Sequence, residues 1–339
     1  MPLTEADIVP AVVRKGTAVL VGTYEDGSPE WHEARRSVIG GSEIGSIMGV
    51  NNFQSGYVLW YKKAGLIPDG NEENPLFEWG HRLEPAVAQK FADEHPEFRV
   101  AVSGSFVHQD RPWHGANPDR LLSPIYEFVD EDSGELVQYE GDAEAVLEIK
   151  TSMNGYGWEN DKCPIKYVAQ LRWYLECFGY EYGYLVVLAN LGDYREFLIP
   201  RDPNKPVTSM QTGEQEWYSI GGEEMLEAGR EFYASLPGKS TDTGIPPDPD
   251  SGKDSYELIR TFHPDIADTE LVLDEEFVAE LRAAQEAEAA ATAELQRIKN
   301  SLLERMGKNR KAVIGEGKTK RVIARRQSKN GGSPFLIFL

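Results

Sequence analysis

Two cysteines in 339 residues cannot build a disulfide framework, and Cys163 and Cys177 lack metal-finger spacing. Free thiols of this kind fit a reducing cytoplasm. No apolar run is long enough to cross a bilayer. Met1-Pro2-Leu3-Thr4-Glu5 opens without the basic stretch and apolar core of a secretory leader. Positive charge is scarce: 35 Lys and Arg face 56 Asp and Glu, for a formal net charge of -21. Such a deficit argues at first against a polyanionic partner, because phosphate contacts need local positive charge. Net charge, however, governs solubility and long-range steering rather than site chemistry. The charge is also uneven. Ten basic residues and one acidic residue, Glu316, lie between Arg305 and Lys329, whereas the stretch from Glu127 to Glu144 is acidic. The basic segment reads equally as a solvated terminus or as one that touches a phosphate backbone.

What is present is a mixed order of strand-like and helix-like segments. Ala18-Val19-Leu20-Val21 followed by Asp26-Gly27-Ser28-Pro29 suggests a strand and a hairpin turn. Ser42 is a candidate N-cap for a helix through Ile44 and Ile47. Further helices are expected from Gly56 to Gly65, from about Pro85 to His95, from Tyr167 to Phe178 and from Glu223 to Ser235. Strands are expected at Arg99–Val107, Ala116–Leu122, Ala145–Thr151, Tyr184–Ala189 and Tyr194–Ile199. This mixture predicts an α/β layered domain. Residues 236–255 are rich in Pro, Gly, Ser and Asp and read as a linker. Beyond it, Phe277, Leu281, Ala284, Ala291, Leu295, Ile298 and Leu302 recur at steps of three and four, broken at Glu288. That spacing predicts a long helix over Glu275–Met306 with a coiled-coil or helical-hairpin seam. A β-hairpin split at Gly315-Glu316-Gly317 is expected to follow.

The chemistry concentrates in Val146-Leu147-Glu148-Ile149-Lys150 and Asn117-Pro118-Asp119. In a strand, Leu147 and Ile149 point to one face, and Glu148 and Lys150 to the other. An apolar run that sets a carboxylate beside an ammonium, with a second carboxylate after a proline, can hold a hard divalent cation. Two such ions can stabilise the attacking and leaving oxygens of a phosphodiester, and a lysine can orient or deprotonate the attacking water or offset transition-state charge. A plain surface ion pair is the alternative for Glu148 and Lys150 taken alone. Glu84 stands before Pro85 and could reach the same cluster or merely complement a helix dipole. Gln170, on the polar side of its helix, could bond the attacking water. Arg35 and Ser42 are suited to a terminal phosphate, since arginine forks phosphate and a helix N-terminus with a serine hydroxyl accepts anions.

In their order, these pieces resemble the lambda exonuclease and YqaJ-like viral recombinase family of PD-(D/E)XK nucleases. The matching stretches are Trp31-His32-Glu33-Ala34-Arg35, Ile39-Gly40-Gly41-Ser42-Glu43-Ile44, Tyr57-Val58-Leu59-Trp60, Trp79-Gly80-His81-Arg82-Leu83-Glu84-Pro85, Asn117-Pro118-Asp119-Arg120, Leu147-Glu148-Ile149-Lys150-Thr151 and Tyr167-Val168-Ala169-Gln170-Leu171. The resemblance spans roughly residues 31–235. It implies a restriction-endonuclease-like core, a mixed central sheet flanked by helices, with the long helix and hairpin appended. The implied organisation is an exonuclease domain over 1–235, a linker over 236–255 and an extension over 256–339. It further implies that Glu84, Asp119, Glu148 and the Ile149 carbonyl ligate Mg²⁺ or Mn²⁺, as two ions per site. Asp119, Glu148, Lys150 and Gln170 are the implied catalytic set, and Arg35, Ser42 and Asn117 the 5′-phosphate contacts. Family members degrade one strand of duplex DNA from its 5′ end and leave a 3′ single strand for an annealing protein. Lambda-type members do so as a ring trimer. By the same resemblance the chain would be phage- or prophage-encoded and act in the bacterial cytoplasm on double-stranded ends.

Departures from the pattern keep other readings open. Asn117 stands where lambda-type enzymes have a serine, and Asn154-Gly155-Tyr156-Gly157-Trp158 occupies the region of a phosphate-gripping arginine. The acidic insertion Pro124–Asp142 is expected as a hairpin turned away from DNA. One alternative is a nuclease of the same fold with other polarity or an endonuclease habit, although two cysteines cannot hold the iron–sulfur cluster common in such enzymes. Another is a non-catalytic protein that binds DNA ends or a partner.

Overall fold

The computed structural model describes residues 16–25, 27–68, 75–130, 133–155, 157–190, 192–240, 244–315, 321–328 and 332–338. The expectations about the first residues, Asp26, Tyr156 and the Gly315-Glu316-Gly317 turn fall wholly or partly outside them. The chain forms two compact units, 1–264 and 265–339.

The first unit is a mixed α/β fold. Its order is β1 (Ala18–Gly22), α1 (Pro29–Arg36), α2 (Gly41–Ile47), α3 (Gly56–Lys63), α4 (Pro75–Glu94), β2 (Phe98–Val102), β3 (Ser105–His108) and β4 (Arg111–Ala116). There follow β5 (Arg120–Val129), β6 (Leu136–Glu140), β7 (Ala145–Ser152), α5 (Ile165–Phe178), β8 (Tyr182–Ala189) and β9 (Asp193–Pro200). The unit closes with β10 (Val207–Ser209), β11 (Gln215–Glu216), α6 (Gly222–Ser235) and α7 (Lys253–Phe262). The central sheet runs β11-β10-β9-β8-β7-β5-β2, with β6 paired to β5. Among the described residues, β7 and β8 are its one parallel pair, joined across α5 as a βαβ unit. A second sheet has the order β1-β3-β4.

Two apolar layers sandwich the central sheet. On one face Leu147 and Ile149 bury with Val87, Ala88 and Phe91 of α4. On the other, Val146 and Leu185 bury with Val168, Leu171 and Leu175 of α5. Each fully buried side chain of this size contributes about 1.5–3 kcal/mol. The period-2 alternation of β7 therefore puts Glu148 and Lys150 on the α5 side, as the strand reading expects.

Several local expectations change. The helix expected from Pro85 begins ten residues earlier, at Pro75. Pro85 forfeits one helical hydrogen bond, but burial of Val87, Ala88 and Phe91 carries the helix through it. Glu84 is thus mid-helix rather than at a helix start. The expected strand Arg99–Val107 is two strands, β2 and β3, and Asn117-Pro118-Asp119 joins β4 to β5 instead of lying inside a strand. β1 pairs with β3, not with a neighbouring hairpin arm. Ser28 instead caps α1, its side chain accepting from the Trp31 amide. The N-cap of α2 is Gly40, whose amide donates to the Glu43 carboxylate at 2.7 Å, and Ser42 is the second helical residue.

Within the stretch expected as a linker, Asp250 accepts from the Tyr57 amide at 3.3 Å. Asp254, just inside α7, accepts from the Ser55 amide at 2.8 Å. These bonds serve the N-terminus of α3, where free amides need acceptors.

The second unit holds α8 (Glu275–Met306), then β12 (Lys311–Ile314), β13 (Arg321–Gln327) and β14 (Phe335–Phe338), in the sheet order β12-β13-β14. The long helix has the expected bounds. The expected hairpin gains a third strand, because Phe335–Phe338 pairs with β13.

Candidate active site

Four elements deliver the polar centre. Asp119 ends the turn into β5, Glu148 and Lys150 share one face of β7, Gln170 projects from α5, and Glu84 comes from α4. Register explains the meeting of the first two: Arg120 of β5 pairs with Leu147 of β7, so Asp119 lies beside the segment carrying Glu148. One Asp119 carboxylate oxygen accepts from the Ile149 amide at 2.6 Å. Glu148 is only 2% exposed. Its Oε1 takes hydrogen bonds from the Lys150 ammonium and, at 2.6 Å, from the Gln170 amide. Its Oε2 is buried and has no hydrogen-bond partner among the described residues. The Gln170 amide also donates to the Tyr174 hydroxyl at 3.0 Å.

The electrostatics follow from burial. Asp119 is held well above the usual carboxylate range by loss of water and then by the Glu148 charge, against the pull of Lys150. Burial also raises Glu148, opposed by Lys150. Lys150 is raised, because the two carboxylates outweigh its own desolvation. Its ammonium is paired to the Glu148 carboxylate, a position that suits orienting water and offsetting charge. Behind it, Lys166 lies 3.6 Å over the Phe53 ring and 4.9 Å over Tyr167, its pKa lowered to about 8 by burial and then by Lys150.

The donor set fits a hard divalent cation. Two buried carboxylates repel one another, and a buried carboxylate oxygen lacks a partner. Both conditions favour a bound cation with oxygen preference. Glu84, Asp119, Glu148 and the Ile149 carbonyl are the residues that would hold it. Their present rotamers do not close around one point: no three His, Cys, Asp or Glu among the described residues converge as a metal cluster. Glu84 is drawn instead to the Arg120 guanidinium at 2.7 Å. Arg120, 5% exposed, is a residue that sequence reasoning passed over although it follows Asp119 directly. Tyr174 was also missed. Its spacing of four from Gln170 places both on one helix face.

Arg35 sits in the last turn of α1, 4.5 Å over the Trp31 ring, and donates to the Ser42 hydroxyl at 2.8 Å. Lys63 gathers this corner: its ammonium donates to the Arg35 and Val38 carbonyls at 2.5 and 2.6 Å and pairs with Glu43 at 2.8 Å. Close packing links the pair to the acidic centre. A Cβ on Gly41 would come within 2.4 Å of the Tyr174 ring, and Tyr174 is bonded to Gln170 and so to Glu148. Asn117 is separate from this pair in its bonding; it donates to Ser105 at 2.5 Å.

Residues 30–181 match the model of the YqaJ-like viral recombinase domain. A curated relative is the uncharacterized protein YqaJ of Bacillus subtilis (strain 168), 31% identical over 178 residues, which are 51% of this chain and 50% of YqaJ. The chain thus spans about half the length of this relative. A protein of African swine fever virus is 29% identical over 100 residues, 27% of each chain. Among solved structures, an alkaline exonuclease (LHK-Exo) from Laribacter hongkongensis aligns with a TM-score of 0.44 and 17% identity, covering 70% of this chain and 99% of that one. Over residues 30–181 this chain is therefore similar to the YqaJ-like viral recombinase domain.

Proposed function

We propose that the chain is a divalent-metal-dependent deoxyribonuclease of the PD-(D/E)XK type, acting as an exonuclease on duplex ends. The observation that carries this is the buried Asp119–Glu148 pair beside Lys150, with a free Glu148 oxygen. Mg²⁺ or Mn²⁺, two ions in this reading, would supply Lewis-acid stabilisation of the phosphoryl oxygens when bound. The protein's own part is positional. Gln170 and Lys150 hold Glu148, the Ile149 amide holds Asp119, and Lys150 would orient the attacking water or offset charge at the scissile phosphate. Arg35 with Ser42 would take a terminal 5′-phosphate, which gives 5′ to 3′ polarity and leaves a 3′ single strand for an annealing protein in phage-type recombination. Asn117 would be a further contact to that phosphate. A homotrimeric ring and action in the cytoplasm of a bacterial host complete the reading.

The test is digestion of end-labelled linear duplex carrying a 5′-phosphate at one end only, with Mg²⁺ and with chelator. Expected is metal-dependent loss of label from the phosphorylated end. Folded protein that leaves the duplex intact in Mg²⁺ and in Mn²⁺ refutes nuclease activity, and internal cuts in circular DNA would reassign it as an endonuclease.

A further inference from the structure

We infer that the outer face of the β12-β13-β14 sheet binds single-stranded DNA. The described residues from 305 to 328 include seven basic residues and no acidic one, in a chain of net charge -21. The sheet divides them by face. Directly opposed residues of antiparallel strands share a face. Ala324 opposes Ala312 on one side and Phe338 on the other. Ala324 is fully buried, and Lys299 of α8 lies over the Phe338 ring, so this face covers the helix. Arg326, on the same face, donates its guanidinium to the Gly307 carbonyl just past α8.

The opposite face carries Lys311, Arg325 and Ile337 in one cross-strand row, with Gln327 opposing Phe335 in the next. Phe335 is 46% exposed. Two features of the row point to a ligand. Lys311 and Arg325 are like charges placed directly opposite, an arrangement that destabilises a sheet. Among the described residues no carboxylate neutralises either. A polyanion laid across the row would relieve that repulsion and release counterions. The exposed Phe335 decides which polyanion. An apolar, aromatic patch on an open sheet offers base-stacking surface, which single strands can use and a closed duplex cannot. This inference stands on the second unit's own residues and does not require the nuclease reading.

The test uses the full chain in chelator, where metal-dependent cutting is off. Fluorescence anisotropy would follow a labelled oligothymidylate of about 16 nucleotides, near the upper site size for one small β-fold. Lys311→Gln/Arg325→Gln is expected to weaken binding about tenfold and to flatten its salt dependence. Phe335→Ala is expected to weaken it severalfold with the salt slope unchanged. Arg260→Gln, which removes a basic group from an i,i+3 pair with Glu257, is the control and should bind as wild type. Glutamine at exposed strand positions keeps the sheet intact, and circular dichroism checks that. Unchanged affinity in both the double variant and Phe335→Ala overturns the assignment. Equal weakening of duplex and single-strand binding by Phe335→Ala overturns the single-strand choice. Because nothing is cut, failure here leaves the nuclease proposal standing.

Discussion

At the scale of residues, Glu148 is the hinge of the site. Lys150 and Gln170 converge on one of its oxygens, and the other has no partner among the described residues. Lys150→Ala should cut k for duplex digestion by at least about 10²-fold, the usual loss of one preorganised charge partner. A gel assay reads it, and activity within a fewfold of wild type would reject the role. Gln170→Ala should show a milder loss in the same assay, because Lys150 still holds the carboxylate. A second residue reports on pH. Burial works against the charge of His95, but hydrogen bonds to Glu196 and Glu97 outweigh it, and the net shift is upward. A raised histidine pKa stabilises the fold fully below the ordinary value of about 6.5, and that contribution fades as pH rises through the folded-state value. His95→Gln should therefore lower Tm at pH 5.5 and converge with wild type near pH 9. Parallel melting curves across that range would show that His95 is not the linked group.

At the scale of elements, the site depends on how closely α2 approaches α5. Gly41 permits it, since a Cβ there meets the Tyr174 ring at 2.4 Å, tighter than side chains tolerate. Gly41→Ala should cost about 1–3 kcal/mol by overpacking and reduce preference for phosphorylated over hydroxyl 5′ ends. Denaturant melts and the end-labelled duplex assay measure the two effects. A variant of wild-type stability and end preference would uncouple α2 from the site. The motif order made β7 and α5 readable in advance, because strand alternation and helical spacing are local. The true start of α4 was not readable: Pro85 signals a helix start locally, and only burial against the sheet overrides it. Tyr174 and Arg120 were hidden for a similar reason. Their roles are contacts to Gln170 and Glu84, made across elements far apart in sequence.

At the scale of the whole molecule, the first compact unit runs through Pro264. Asp250 and Asp254 serve the amides at the start of α3. A chain ending at residue 235 should thus be less stable than one ending at 264 by about 1–2 kcal/mol, the range for lost helix caps. Equal urea midpoints for the two truncations would show that these bonds add nothing. Charge is also uneven at this scale, with a local basic excess between Arg305 and Lys329 in a chain of net charge -21.

The amino-acid order alone determined the α/β class, the long helix with its bounds and the face on which Glu148 and Lys150 stand. Each follows from backbone periods of 2.0 and 3.6 residues acting over a few neighbours. Tertiary structure alone decided that Arg120 claims Glu84, that Gly41 sets α2 against Tyr174, and that β14 completes the basic sheet. Those outcomes rest on pairing and packing between distant segments, where the gain from burial and from satisfied buried polar groups outweighs what any segment prefers by itself.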